Sequence, residues 1–279
     1  MIDQLLHLLP YAFVQDMLLA GVLVSIVAGL VSRFVVARNM SFAVHALAEV
    51  GFTGSAGFIL IGLSPVLGLL TGSLVTAFFI GTLGLRIRER DAVVGVVMAF
   101  GLGLGVLFIT LNAQFATEAF SILLFGAIST VSQGDLILLA AMAALTLAGL
   151  GVMYRPLTFA TVDPVVAEAR GVPVRLVSIL FLLMLAAAVA EAVQVVGVLL
   201  ILTLLITPGA TAERLTAQPG LATAVSVGVA LLATLGGILL ALVTAVPVSF
   251  YVTTIAFVCY LAARLGAPVL DRPRRPRPT

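Results

Sequence analysis

Apolar runs of about twenty residues recur along this sequence, separated by short polar joints, and that repeat leaves few folds open. A bilayer's hydrocarbon core is about 30 Å thick, a depth that about twenty helical residues cross at a rise of 1.5 Å each. A membrane β-barrel would instead show alternating segments of about ten residues. The runs here do not alternate and are rich in Leu, Val, Ala and Gly. With 62% hydrophobic and 9% charged residues, the 279-residue chain has too little polar surface to cover a water-soluble fold. The expected fold is an all-α integral membrane protein, a polytopic bundle of eight to nine transmembrane helices. Met1 to Pro10 hold no Lys or Arg ahead of their apolar stretch and no small-residue cleavage pattern, so no removable signal peptide is expected. Cys259 is the single cysteine and lies in the last apolar run, which reads as packing, not as a disulfide or a metal cage.

Hydropathy predicts spans near 17–36, 42–62, 66–85, 92–111, 135–154, 176–195, 197–213, 221–242 and 250–266. The stretch from Leu176 to Ala212 is nearly uninterrupted and would reach about 55 Å as one helix, close to twice the hydrocarbon thickness. It must cross twice or re-enter. Its one candidate turn, Val195-Val196-Gly197, has no solvating residue, which favours a broken helix buried in protein. Ser121 to Ser132 is too short to span and too apolar for an ordinary loop, and reads as a half-helix at the outer surface.

Every basic side chain is Arg, and all 14 fall on one side of this map. By the positive-inside rule that side is the cytoplasm. The N-terminus is then extracytoplasmic, the C-terminus cytoplasmic and the location a plasma (inner) membrane. Arg33 and Arg38 follow the first span, Arg86, Arg88 and Arg90 the third, and Arg155, Arg170 and Arg175 surround a polar loop. Arg214, Arg264 and the tail arginines complete the set. Residues 1–266 form the membrane domain, and 267–279 a disordered basic tail held near anionic headgroups. So short a tail does not suggest nucleic-acid binding.

The polar loop, 155–175, is far longer than a helix connection requires. Asp163 reads as an N-cap with Pro164 at the first helical position, Glu168 and Arg170 supply a charged face, and Gly171 followed by Pro173 ends the helix. A capped polar helix on the cytoplasmic side is a surface for a cytoplasmic partner.

Two carboxylates, Glu49 and Glu191, fall well inside predicted spans. Ionisable groups there cost about 2.5–3.5 kcal/mol on insertion scales and usually face a partner or a watery path. His45 stands one turn before Glu49 on the same helix face, between Ser41 and Thr53. Imidazole nitrogen and carboxylate oxygen are both ligands for Zn²⁺, Mn²⁺ or Fe²⁺, and two ligands suit a way-station better than a closed site. The structural alternative is that they only satisfy each other. Glu191 and Gln194 share a second face near the suspected break, so the two pairs would mark successive positions on one cation path. For Gln194 the alternative is an interhelical hydrogen bond. Gly101 and Gly105, with Gly81 and Gly84, read as points of close helix approach. No phosphate-binding Gly-x-x-x-x-Gly-Lys motif exists, so any ATP is bound by another chain.

These residues resemble the permease subunits of bacterial ABC importers for zinc, manganese and iron(II). The likeness runs from Asp163-Pro164 through Gly171 to Gln194–Leu200, and on to Leu205–Ala212, where the block ending Pro-Ala-Ala-Thr-Ala in many members reads Pro208-Gly209-Ala210-Thr211-Ala212. Leu124-Phe125-Gly126 and His45-Ala46 match further family segments. The sequence departs at Val44, usually serine, at Leu47 to Gly51, where Leu-Pro-Gly is absent, and at Glu49, where some relatives place a second histidine. Glu191 is not an expected carboxylate position. The resemblance implies a non-catalytic, metal-importing permease with no permanent cofactor. It further implies a second permease copy, cytoplasmic ABC ATPase subunits seated on Asp163 to Gly171, and an extracytoplasmic metal-binding protein. A ligand set of His and Glu favours Mn²⁺ or Fe²⁺ over Zn²⁺. Rival readings are a proton-coupled secondary transporter using Glu49 or Glu191, an ABC permease for a metal chelate, and a membrane hydrolase, for which no nucleophile with an adjacent base is evident.

Overall fold

A computed structural model describes residues 7, 10–84, 87–111, 133–198, 201–244 and 246–266. Ten helices of six residues or more account for most of them. In order these are α1 (Ala12–Ala37), α2 (Ser41–Leu60), α3 (Pro65–Leu83), α4 (Ile87–Leu111), α5 (Gln133–Val162), α6 (Pro164–Ala169), α7 (Val174–Val196), α8 (Ile201–Leu215), α9 (Pro219–Leu242) and α10 (Val248–Gly266). Eight are long and apolar enough to cross a bilayer. The half-helix expected at Ser121–Ser132, the Leu124–Gly126 match and the 267–279 tail lie outside the described residues.

Proline opens α3, α6 and α9 at the first turn, where its missing N–H costs no hydrogen bond. The innermost helix is α1, which packs against α9, α8, α5 and α7. Beside it, α2 lies chiefly on α3 and α4. Small residues make the α2–α3 approach close. A Cβ added at Gly54 would stand 2.3 Å from the Gly68 carbonyl oxygen and 2.9 Å from Gly72 Cα. Gly101 and Gly105 serve α4 likewise, since added Cβ atoms would meet Val50 at 2.5 Å and the Thr53 hydroxyl at 2.7 Å. Their close approach is to α2 of the same chain. The outermost helices are α4 and α10, in which only 17% of the most apolar window is buried.

The break after α7 falls at Gly197, whose φ of 86° and ψ of 161° belong to a region that essentially only glycine occupies. Its N–H still closes the last turn on the Val193 carbonyl at 2.8 Å. The returning α8 has 15 residues, about 22 Å at the helical rise. That is short of the bilayer core, so the span predicted at 197–213 is a partial one. It is enclosed by α1, α9, α10 and α2, with Leu204, Leu205 and Ala212 fully buried.

Two sequence boundaries shift. Helix α5 continues through Arg155 and Pro156 to Val162, so the expected 155–175 loop begins only at Asp163. Charge and proline marked the exit from the hydrocarbon, not the end of the helix. Arg33 lies within α1 and is 7% exposed, so it belongs to the packed interior and not to a connecting loop.

Candidate functional site

Helical spacing carries His45 and Glu49 to one side of α2, where Nε2 lies 3.0 Å from Glu49 Oε1. The side chains are 37% and 22% exposed. Each contributes one atom to that contact and keeps another, Nδ1 on His45 and Oε2 on Glu49, buried without a hydrogen-bond partner. With Nε2–H donating to Oε1, the free lone pair of the imidazole is on Nδ1, the arrangement in which a carboxylate orients a histidine for a cation. One turn further on, Thr53 donates to the Gly101 carbonyl at 3.0 Å and fixes this face against α4.

Glu191 and Gln194 occupy the last turns of α7, just before the Gly197 break. Glu191 is 0% exposed, and neither of its oxygens has a hydrogen-bond partner. The Gln194 amide oxygen is likewise buried and unpaired. Among the described residues nine buried side-chain nitrogen or oxygen atoms lack partners, and five of them belong to His45, Glu49, Glu191 and Gln194. The other four are hydroxyls. Unmet lone pairs of the kind that bind cations thus concentrate on the residues singled out from the sequence. The two pairs stay separate, since no group of three or more His, Cys, Asp or Glu side chains gathers among the described residues.

Helix α6 is held at both ends. The Asp163 carboxylate accepts from the N–H groups of Val165 and Val166 at 3.1 and 3.0 Å. At the other end Gly171 takes φ 82°, its N–H bonds the Glu168 carbonyl, and the Val172 N–H bonds the Ala167 carbonyl. These two bonds form a Schellman motif. Ala167 is buried against the bundle while Val165, Val166, Glu168 and Arg170 are exposed. The six-residue helix therefore offers a mixed apolar and charged outer face.

Sequence reasoning did not foresee the bonding of three arginines. Arg33 donates to the Tyr154 and Thr223 hydroxyls, both at 3.2 Å, tying α1 to α5 and α9. Arg38 donates to Ser178 on α7 and to Thr161 on α5. Arg90 donates to the carbonyls of Arg38 and Asn39 at 3.0 and 3.1 Å. The one advance signal is that Arg33, grouped with the arginines that follow the first span, falls within that span's predicted limits of 17–36.

A bundle with eight span-length helices, a buried helix break and paired polar side chains with unpartnered atoms within its spans is the build of a multi-pass membrane protein. The chain belongs to the ABC 3 transport family, which matches residues 10–267. It is 33% identical over 211 residues to the manganese transport system membrane protein MntC of Halalkalibacterium halodurans, covering 75% of this chain and 72% of that protein. To the manganese import system permease protein ScaB of Streptococcus gordonii it is 30% identical over 203 residues, 72% of each chain. Among solved structures, PsaBC from Streptococcus pneumoniae in complex with Fab superposes with a TM-score of 0.85 at 26% identity, covering 96% of this chain and 97% of that one.

Proposed function

We propose that this chain is the membrane permease of an ATP-driven importer of divalent metal ions, with Mn²⁺ the first substrate to test. The observation that carries the reading is the set of unpaired ligand atoms on His45 and Glu49 inside the bundle. The manganese transport named for the MntC and ScaB relatives supports the choice of metal. His45 Nδ1 and Glu49 Oε2 would take part of the cation's coordination shell, and Glu191 and Gln194 would serve a second station near the Gly197 break. Two protein ligands hold a cation weakly enough to release it, which transport requires.

In this reading the arginine-bearing end of the bundle faces the cytoplasm, the N-terminus lies outside and the C-terminus inside. Two copies of the chain enclose one pathway, a binding protein delivers metal from outside, and separate ATPase subunits seat on α6 through Asp163, Pro164, Glu168, Arg170 and Gly171. Closure of the ATPases displaces α6 and switches the bundle between outward and inward access. ATP hydrolysis takes place in the partner, and the metal is cargo.

The test is Mn²⁺ uptake into proteoliposomes holding this chain with its co-purifying ATPase. Uptake should need ATP and fall in a Glu49→Ala, Glu191→Ala double variant, and normal uptake by that variant would refute the path. Glu168→Arg and Gly171→Trp should uncouple hydrolysis from transport while leaving insertion intact. The fully buried Glu191 also suits a proton-coupled transporter, which a proton gradient would drive with this chain alone.

A further inference from the structure

At the arginine-bearing end of the bundle, a cavity of about 450 Å³ opens between the α1–α2 turn, the adjoining ends of α3, α5 and α7, and α6. That volume is in the range of small-molecule sites, about 300–1,000 Å³. Arg38, Arg90 and Arg175 line it, against one carboxylate, the exposed Glu168. None of the four makes an ion pair with another described residue. Arg38 gives two N–H groups to the neutral hydroxyls of Ser178 and Thr161. Arg90 is fixed by two backbone carbonyls, with the exposed Asp91 as the neighbouring carboxylate acting on it, so both guanidinium groups are positioned by neutral acceptors. Burial, and then the neighbouring Arg90, lower Arg38 to about 10, which leaves it charged at neutral pH. Like charges brought together and partly desolvated are unfavourable unless an anion joins them.

We propose that this cavity binds a phosphate-bearing anion, bridged by Arg38 and Arg90 and supplied either by the head group of an anionic lipid or as free phosphate. Guanidinium forks match the planar pairs of phosphate oxygens, which makes phosphate a better fit than a monovalent halide. The cavity's level, at the helix ends of one side of the bundle, is the depth at which lipid phosphates lie, and basic pockets between membrane helices there take anionic head groups. An occupant would bear on Pro164 and Glu168 of α6 from the bundle side. The binding step does not depend on the transport reading and can fail or succeed without it.

The experiment is native mass spectrometry of the detergent-purified full chain, titrated with phosphatidylglycerol, with phosphatidylcholine and with inorganic phosphate. Wild-type protein should retain phosphatidylglycerol over phosphatidylcholine. Arg38→Gln and Arg90→Gln should each weaken that retention by about fivefold, the ~1 kcal/mol of one basic residue at a lipid surface. Arg90→Gln guards against misfolding of the Arg38 variant. Replacing Arg272, Arg274, Arg275 and Arg277 by Gln should leave the preference in place. Displacement of phosphatidylglycerol by millimolar phosphate would identify free phosphate as the occupant, whereas retention against it would identify the lipid. Undiminished preference in both Arg38→Gln and Arg90→Gln, or its loss in the tail variant alone, overturns the proposal.

Discussion

The α7–α8 break gives glycine substitutions opposite signs at two positions of one protein. Gly197 holds φ 86° and ψ 161°, and an L-residue held in such a conformation costs about 1–3 kcal/mol. Gly103 lies inside α4, faces outward, and an added Cβ there would meet nothing within 4 Å. Alanine at such a helical position gains about 0.5–1 kcal/mol over glycine. The two Gly→Ala variants should therefore differ by about 1.5–4 kcal/mol. At roughly 2–4 °C per kcal/mol for a chain of this order of size, their melting midpoints should lie about 3–16 °C apart, Gly197→Ala being the lower. The assay is fluorescence-detected thermal unfolding of both variants and the parent in one detergent. Gly197→Ala melting at or above Gly103→Ala would show that the break does not require the left-handed backbone, and the account of the helix interruption would fail with it.

Other substitutions test the remaining sites. Glu191→Leu should raise thermal stability, since removing a buried carboxylate with no partner relieves on the order of 1–3 kcal/mol, and should abolish metal uptake; a variant no more stable than its parent would mean that Glu191 is satisfied in the membrane. Gly54→Ala should cost about 1–3 kcal/mol by overpacking, because the new methyl would stand 2.3 Å from a backbone oxygen that cannot rotate away; an unchanged melting midpoint would contradict the close α2–α3 contact. Asp163→Ala should weaken the order of α6 by about 1 kcal/mol and reduce the ATPase recovered by pull-down, while Asp163→Asn, also a good cap, should keep most of it. His45→Ala should lower Mn²⁺ retention in elemental analysis of the purified complex, and equal metal content would argue against a ligand role.

What the sequence made legible was local. The Asp163-Pro164 cap, the Gly171 stop and the Gly197 break were readable because each depends on the backbone limits of one or two residues. The His45–Glu49 contact was readable because a helix places residues four apart on one face. Hydropathy could not show that α5 runs on for seven residues after Arg155, because charge marks where hydrocarbon ends and a helix can continue into water. Nor could it show Arg33 inside the bundle, since its partners Tyr154 and Thr223 are 121 and 190 residues away in sequence. The cavity around Arg38 and Arg90 joins several elements and leaves no trace in any one of them. Of the four residues picked out in the sequence only Glu191 is fully buried, and that the two pairs stand apart is a tertiary fact.

The caps of α6 also have a mechanical meaning. A linker of six helical residues tied by Asp163 at one end and by the Gly171 turn at the other has little slack to stretch or bend. It is joined through the extended Asp163 to the end of α5, a 30-residue helix about 45 Å long. A load placed on the exposed face of α6 would therefore pass to its two fixed joints, and it would reach α5 through the extended Asp163 and the Pro156 position, where a helix bends most readily.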